Sequence, residues 1–545
     1  MTGTDVTATR GETAALDAVL RCWVTENGIP LPDTGSVSIP VPGGEVRASV
    51  TYRSATGHHR FADVGVGPVD LARTLGGDTL AGLVADSVSR ISRYLAARSA
   101  ETVAPHGDPF LSAEQDLLLG HLTHPAAKSR DGISDDEDQR YAPELRGSFP
   151  LHWFAVDAGL VRAGCAEHPV LGDALATLGA GPAAAAGRVL VPAHPWQAGD
   201  LVRRNGFREL VDAGRITPLG PDGPAWYPTS SLRTVYRPGD PVMLKLSLGL
   251  RITNSRRENT LTELARGIEV CRLLDAGIAD TVREAYPGFR IVADPAYLAA
   301  VFPDGSPTHL DVSVREAPAG ITGARCLAGF VAPQPGIRPA AIVTTVRELA
   351  SRLGRPVESV AAEWVRRYVD RVLAPMVHLY ATTGIGLEAH QQNTLVILDA
   401  DGWPETGWYR DNQGYYLASS ALPTVLSHLD GATSSTLAVA QDSTVDDRLT
   451  YYLLLNQALA PVAALGGADV AAEEDLLGAV RDGLAALVDR GHDTTGGLVR
   501  RWLTADTLPR KANLATRVAG IDEVLAPVDN QSVYHRTPNP LRETR

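Results

Sequence analysis

Four cysteines in 545 residues, Cys22, Cys165, Cys271 and Cys326, stand far apart and form no CxxC pair. Neither a zinc ribbon nor a dense disulfide framework is available to such a chain, and reduced, buried thiols are expected. Long apolar runs are missing as well. No window of about 18 uninterrupted apolar residues exists for a membrane span, and Asp5, Arg10, Glu12 and Asp17 interrupt the N-terminus before a signal-peptide core could develop. The chain is therefore expected in the cytoplasm. Basic charge is in deficit: 50 Lys and Arg face 63 Asp and Glu, a formal charge of −13. Nucleic acid and anionic membrane are excluded as partners, because counterion release needs a basic surface. Several familiar motifs are absent too. Without GxxxxGK[ST] or a helix-opening GxGxxG, an ordinary P-loop or dinucleotide fold loses its support. HExxH and GxSxG are also missing, which removes the metalloprotease and α/β-hydrolase signatures.

The length is too great for one compact core, and roughly two to four domains are expected. Apolar residues at helical spacing predict a helix over residues 14–26, ended by Gly28 and Pro30. Short strands follow at 37–41, 45–52 and 60–65, then helix over 70–99 with a break at Gly76 and Gly77. The acidic run 135–138 reads as a solvated loop. A helix, an Ala/Gly-rich connector at 179–187 and a strand at 188–191 lead to strands over 224–253. A helix at 261–276 and irregular strands over 289–333 complete the middle. From 357 to 380 the apolar residues keep the 3.6-residue period for more than six turns, which predicts one long core helix stopped by Gly384. Strands at 394–398 and around Trp408, joined at Asp401-Gly402, predict a hairpin, and the chain beyond 420 reads as mainly helical. The fold class is α+β, with an N-terminal part (1–147), a middle part (148–338) and a mostly helical C-terminal part (339–545).

Against the acidic background, residues 229–257, TSSLRTVYRPGDPVMLKLSLGLRITNSRR, gather Arg233, Lys245, Arg251, Arg256 and Arg257, with no acid between Asp240 and Glu258. From Leu244 onward, Leu246, Leu248, Leu250 and Ile252 alternate with Lys245, Ser247, Gly249, Arg251 and Thr253. Period two puts the first set on one face of a strand and the cations, hydroxyls and bare backbone on the other. The pattern suits a site for a phosphate-bearing ligand. Arg233, Lys245 and Arg257 follow one another at a spacing of twelve residues.

A second constellation runs from Glu388 through His390, Gln392 and Asn393 to Arg410 and Asp411. In the predicted hairpin Asn393 and Asp411 lie side by side, and their oxygens suit Mg²⁺ shared with nucleotide phosphates. His390 is a candidate donor to a phosphate oxygen. For each residue singly, a helix cap or turn is the simpler reading; four polar residues in six positions beside an apolar strand weigh against it. The loop GHLTHPAAKSRDG (120–132) adds His121, His124, Lys128 and Arg130, and His194-Pro195-Trp196-Gln197 adds further candidate donors for a carboxylate or phosphate. Arg315-Glu316 and Arg510-Lys511 read as surface pairs.

In chain order, Gly120-His121…His124-Pro125…Lys128…Arg130, His194-Pro195-Trp196-Gln197, Ser230-Ser231-Leu232-Arg233-Thr234, Lys245-Leu-Ser-Leu, Thr253-Asn-Ser…Arg257, Glu388…His390…Gln392-Asn393 and Arg410-Asp411 resemble the motifs of the IucA/IucC family of siderophore synthetases. The resemblance implies a three-part cupped hand of thumb, fingers and kinase-like helical palm, with ATP between fingers and palm. It implies adenylation of a carboxylate of a polycarboxylic acid, release of pyrophosphate, and attack by an amine or hydroxyl to give an amide or ester. Carried over, Arg233, Lys245, Arg257 and His390 are the catalytic set. Ser231, Thr234, Glu388, Gln392, Asn393 and Asp411 are the nucleotide contacts, with Asn393 and Asp411 holding Mg²⁺, and His124, Lys128 and Arg130 join the nucleotide side. The TSSLRT and ITNSRR wording resembles the citrate-using group; 2-oxoglutarate and dicarboxylic monoamides stay open, as does a homodimer. Outside the family two readings compete. A kinase-like phosphotransferase would release ADP, but an aspartate shortly before Asn393 is missing. A noncatalytic nucleotide- or citrate-binding protein leaves the Asn393/Asp411 pair unexplained.

Overall fold

The computed structural model describes residues 3–101, 107–179, 181–183, 185–411, 413–429, 432–521 and 531–542. Helix and sheet are mixed, as an α+β chain requires. At the N-terminus, helices Gly3–Glu26 and Pro68–Ser99 flank a three-stranded meander of Gly35–Val41, Gly44–Tyr52 and Arg60–Ala62. The expected break is present: Gly76 and Gly77 leave helical geometry, Gly77 at a φ of 73° that a side chain would resist. Residues 180 and 184 of the Ala/Gly-rich connector lie outside the described residues.

The middle of the chain builds an eight-stranded antiparallel sheet. Its order is Val161–Cys165, Ala296–Val301, Pro307–Glu316, Val242–Leu246, Thr234–Tyr236, Ile216–Pro228, Phe149–Asp157 and Arg188–Ala193. The alternation read over 244–253 has the right faces, since Leu244, Leu246, Leu248 and Leu250 share one core. It is not one strand, however. The chain leaves the large sheet after Leu246 and enters a three-stranded sheet in which Leu248–Ile252 pairs with Ser255–Arg257 and with Arg130–Asp131. Ser247 marks the switch, its hydroxyl donating to Asp311 Oδ2 at 2.7 Å.

The largest core draws on residues from Val270 to Leu541 and centres on Trp364, Tyr368 and Trp502. The helix expected over 357–380 runs unbroken from Val357 to Thr383 and ends at Gly384 with φ 69°, with a π turn at Val369–Leu373 between α-helical Val357–Tyr368 and Ala374–Thr383. Pro375 supplies the cause, having no N–H to donate and a ring that clashes with the preceding turn, so the wider π spacing accommodates it. The predicted hairpin is present, Thr394–Leu398 pairing with Pro404–Arg410. The acidic run 135–138 is not a solvated loop. It opens helix Asp135–Tyr141 with a Ser134–Glu137 capping box, and Asp138 is fully buried against Arg90, Arg93, Tyr94 and Arg130. One described helical segment, 442–466, is long and apolar enough to span a membrane by length and composition, yet 94% of its window is buried within the protein.

Candidate active site

Loop 229–234 starts the site. Thr234 O accepts from Thr229 N at 2.8 Å, and Leu232 takes a left-handed φ of 64° while its side chain sits in the sheet core. That turn places Ser231, Arg233 and Thr234 on the concave side. Thr234 pairs directly with Lys245, so the loop and the cationic strand are register neighbours. Arg257 arrives from the adjoining hairpin, where Thr253 at φ 56° makes the bend and accepts from Arg257 Nη2 at 3.0 Å. The facing wall is the far end of the hairpin formed by Thr394–Leu398 and Pro404–Arg410. Thr394 pairs with Tyr409, and Arg410 N donates to Asn393 O at 3.0 Å, so Asn393 and Asp411 come within 3.5 Å across 18 residues of sequence.

Between these walls lies a cavity of about 680 Å³. All thirteen residues expected at the site line it, including His124, Lys128 and Arg130 from loop 120–132. The surrounding charge is inverted relative to the rest of the protein: among the described residues, ten Lys and Arg side chains and three carboxylates line it. Arg251 and Arg256 do not take part. Arg256 is solvent-exposed, because in the short hairpin it stands opposite Arg251 on the outer edge.

Most of these cations are held by partners. Lys245 Nζ donates to Asp411 Oδ1 at 2.6 Å, and Arg315 Nη2 is 3.8 Å from the same oxygen. Burial pushes the Lys245 ammonium down to about 8, with Asp411 opposing the shift. Burial alone would raise the Asp411 carboxyl, but Lys245 and Arg315 hold it well below the usual carboxylate range. Arg233 is lowered to about 10 by burial and by Arg257 beside it. Its Nη1 donates to Asn259 Oδ1 at 2.7 Å, and its Nη2 to Gln413 Oε1 at 2.6 Å. His390 is pushed down to about 4 by burial, against the pull of Asp411. Its ring is neutral near pH 7; Gln392 N donates to Nδ1 at 3.2 Å, and Nε2 lies at the cavity 3.4 Å from Asn393 Nδ2. Lys128 and Arg130 line the cavity but are tied down beneath it, both to Glu144, with Arg130 also 2.8 Å from Asp138.

Other expectations fail here for physical reasons. The His194-Pro195-Trp196-Gln197 segment does not face the cavity. His194 caps helix Pro195–Leu201, and the Gln197 carboxamide bridges Gly249 N and His309 O, so the segment holds the cationic strand from behind. Arg315 and Arg510 are not surface residues. Both are buried; Arg315 is doubly bonded to Asp294 at 2.7 and 2.8 Å, and it lines the cavity, as Lys511 does. Tyr416, Arg448, Tyr452 and Asn456 also line it and were missed. The signal for Tyr452 and Asn456 was Tyr-Tyr and Asn in an otherwise apolar helix, π-wound over Thr450–Ala458; Tyr416 lies on strand Tyr415–Ala418 and Arg448 in helix Asp442–Leu449, where no local pattern marked them.

A metal ion fits this wall only in part. Asp411 Oδ1 accepts from Lys245 Nζ and its Oδ2 faces Asn393 Nδ2 at 3.5 Å, so the Asn393 side chain would have to turn its oxygen toward an ion, and no group of three or more His, Cys, Asp or Glu among the described residues could hold one. Mg²⁺ is commonly bound by one or two protein oxygens with phosphates completing its shell.

Residues 109–332 match the model of the IucA / IucC family. The rhizobactin siderophore biosynthesis protein RhbC of Rhizobium meliloti (strain 1021) is 35% identical, over 93% of this chain and 92% of the relative. The chain belongs to the IucA/IucC family of siderophore synthetases. A spermidine-citrate ligase of Bacillus anthracis is 34% identical over 84% of this chain and 77% of its own length. The ATP-bound aerobactin synthetase IucA from a hypervirulent pathotype of Klebsiella pneumoniae superposes with a TM-score of 0.83 at 26% identity, covering 97% of this chain and 99% of that one. Residues 362–525 of this IucA/IucC member also match a model described as a ferric iron reductase FhuF-like transporter.

Proposed function

We propose that this chain is an ATP-dependent siderophore synthetase that adenylates a carboxylate of citrate and condenses it with an amine or hydroxyl. The observation that carries the reading is the inverted charge of the cavity: among the described residues, ten cationic side chains against three carboxylates, in a protein of net charge −13, line it beside an Asn–Asp pair. Adenylation brings a carboxylate against a polyanion, so charge is the main barrier, and fixed cations lower it where negative charge develops. Lys245, Arg233 and Arg257 hold the phosphates and the attacking carboxylate together, and His390 Nε2–H donates to a phosphate oxygen. Attack at the α-phosphorus forms the acyl–phosphate bond and breaks the bond to the β-phosphate bridge, releasing pyrophosphate. Mg²⁺, held by Asp411 and Asn393 together with the phosphates, would offset the charge on the leaving pyrophosphate. In the second step the amine forms the C–N bond, AMP leaves, and the amine proton passes to solvent. That step depends on proximity more than on a strong base, in keeping with a cavity built of cations and amides.

The citrate-named ligase among the relatives supports the choice of acid. The same reading assigns residues 1–147 to a thumb, 148–338 to fingers and 339–545 to a palm of a cupped hand, working in the cytoplasm where ATP is plentiful. The test is product identity with ATP, citrate and a panel of polyamines, diamino acids and hydroxamate-bearing amines. AMP and pyrophosphate formed only when acid and amine are both present are expected; ADP as the nucleotide product would refute the reading in favour of a phosphotransferase.

A further inference from the structure

Glu114 lies outside every motif read from the sequence, yet it is 1% exposed and sits where the two walls of the cavity meet. Its Oε2 accepts from Ser230 N at 2.8 Å and from Ser230 Oγ at 2.7 Å, and its Oε1 is 2.6 Å from Arg410 Nη2. Arg410 donates through Nη2 to Gln392 O at 2.9 Å, and Gln392 Nε2 donates back to Ser230 Oγ at 3.2 Å. Glu114, Ser230, Gln392 and Arg410 thus form a closed polar ring drawn from four separate segments. Three of them precede a site residue directly in sequence: Ser230 before Ser231, Gln392 before Asn393, Arg410 before Asp411.

The helix that carries Glu114 is itself fixed between the two sheets. Asp108 caps helix Pro109–Gln115, accepting from Phe110 N at 2.9 Å, and its other oxygen accepts from Tyr236 OH at 2.9 Å. Phe110 and Leu111 pack into a core shared with Tyr236 and Met243 of the large sheet and with Leu395 and Trp408 of the hairpin. The guanidinium of Arg410 lies 5.7 Å from the Phe110 ring centroid. One short helix therefore touches both walls, through apolar packing and through one carboxylate.

We propose that Glu114 is a positioning residue, which fixes the separation and register of loop 229–234 against the Asn393–Asp411 hairpin end. This rests on reading the cavity as the nucleotide site. Glu114 does not face substrate; it acts through Ser230 and Arg410. Charge matters because one carboxylate accepts two hydrogen bonds from Ser230 through Oε2 and pairs with the Arg410 guanidinium through Oε1, and a carboxamide in its place loses that pairing or turns one end into a donor facing Ser230 or Arg410. Misplacing either wall by about 1 Å is enough to lower a rate about 100-fold.

The test compares Glu114→Gln, Ser230→Ala and the double variant with wild type in the full-length protein. Measured are kcat and KM for ATP, ATP binding by calorimetry, and melting temperature. Glu114→Gln is expected to lower kcat about 10- to 100-fold, with Ser230→Ala lowering it in the same direction. The double variant should be no worse than Glu114→Gln alone, because both changes open the same ring. If Glu114→Gln fails to fold, Ser230→Ala decides, since it keeps the Glu114–Arg410 pair and removes only the hydroxyl that closes the ring. Lowered melting temperature with wild-type kcat, KM and ATP affinity in the folded variants would overturn the proposal, as would fully additive losses. Wild-type protein yielding ADP would refute the functional reading instead, and the ATP affinities of the same variants would still decide the role of Glu114.

Discussion

Replacing Lys245 by methionine removes a charge and keeps most of the aliphatic stem. The ammonium is buried, lies 2.6 Å from Asp411 Oδ1, and lines the same cavity as Arg233 and Arg257. A fixed donor that meets developing charge in a water-poor site contributes about 2–4 kcal/mol to the transition state, so adenylation should slow by about 30- to 1000-fold. The pH profile makes the attribution specific. Burial depresses Lys245 from its ordinary range to about 8, so in the free enzyme the ammonium dominates below that pH and the neutral amine above it. kcat/KM for ATP should therefore fall on the alkaline side with a midpoint near that value. Saturating ATP should push the midpoint upward in kcat, because a bound polyanion favours the charged form. Citrate-dependent exchange of labelled pyrophosphate into ATP, followed from about pH 6 to 10, reads both effects. In Lys245→Met the rate should drop and this limb should vanish, since the Arg233 and Arg257 guanidiniums stay charged across this range. An unchanged rate, or an alkaline limb that persists in the variant, would refute the reasoning.

Asp411→Asn should move the same limb to lower pH, since Asp411 is what opposes the burial of Lys245; it should also raise the Mg²⁺ concentration for half-maximal exchange, and an unmoved metal titration would assign Asp411 to Lys245 alone. His390, already at about 4, is neutral throughout the physiological range, so kcat/KM should show no histidine limb near pH 6.5. His390→Phe should cost about 1.5–3 kcal/mol, the value of a hydrogen bond to a charged oxygen, measured as kcat/KM for ATP. Trp364→Ala should destabilise by about 3–5 kcal/mol in urea unfolding, because Trp364 is fully buried, stacks on Tyr368 at 5.7 Å and donates to Gly402 O at 3.1 Å. A shift below about 1 kcal/mol would mean that the core refills the space.

The parts of the site that were legible depend on local pattern. Period-two alternation identified the face that carries Lys245, and two strands with a turn between them were enough to bring Asn393 to Asp411. Two errors had one source, in that charge was read as exposure. Asp138 and Arg315 are charged, yet each is buried because its counter-ions come from other elements of the fold: Arg90 and Arg130 for Asp138, Asp294 for Arg315. Such pairing is non-local and has no period. Glu114 was invisible for the same reason, its partners being 116 residues away at Ser230 and further still at Arg410.

The sequence by itself determined the class of chain, the element types and the residues able to bind an anion, because composition, periodicity and turn residues act over a few neighbours. It also carried the family resemblance, through motifs read in order. Only the tertiary structure decided which cations face the cavity and which are neutralised beneath it. Arg256 and Lys128 are equally basic in sequence, yet one is exposed on an outer hairpin edge and the other is buried against Glu144. The reason is that a side chain's charge is local, whereas its environment, and hence its pKa and its availability to a ligand, is set by segments that only the fold brings together.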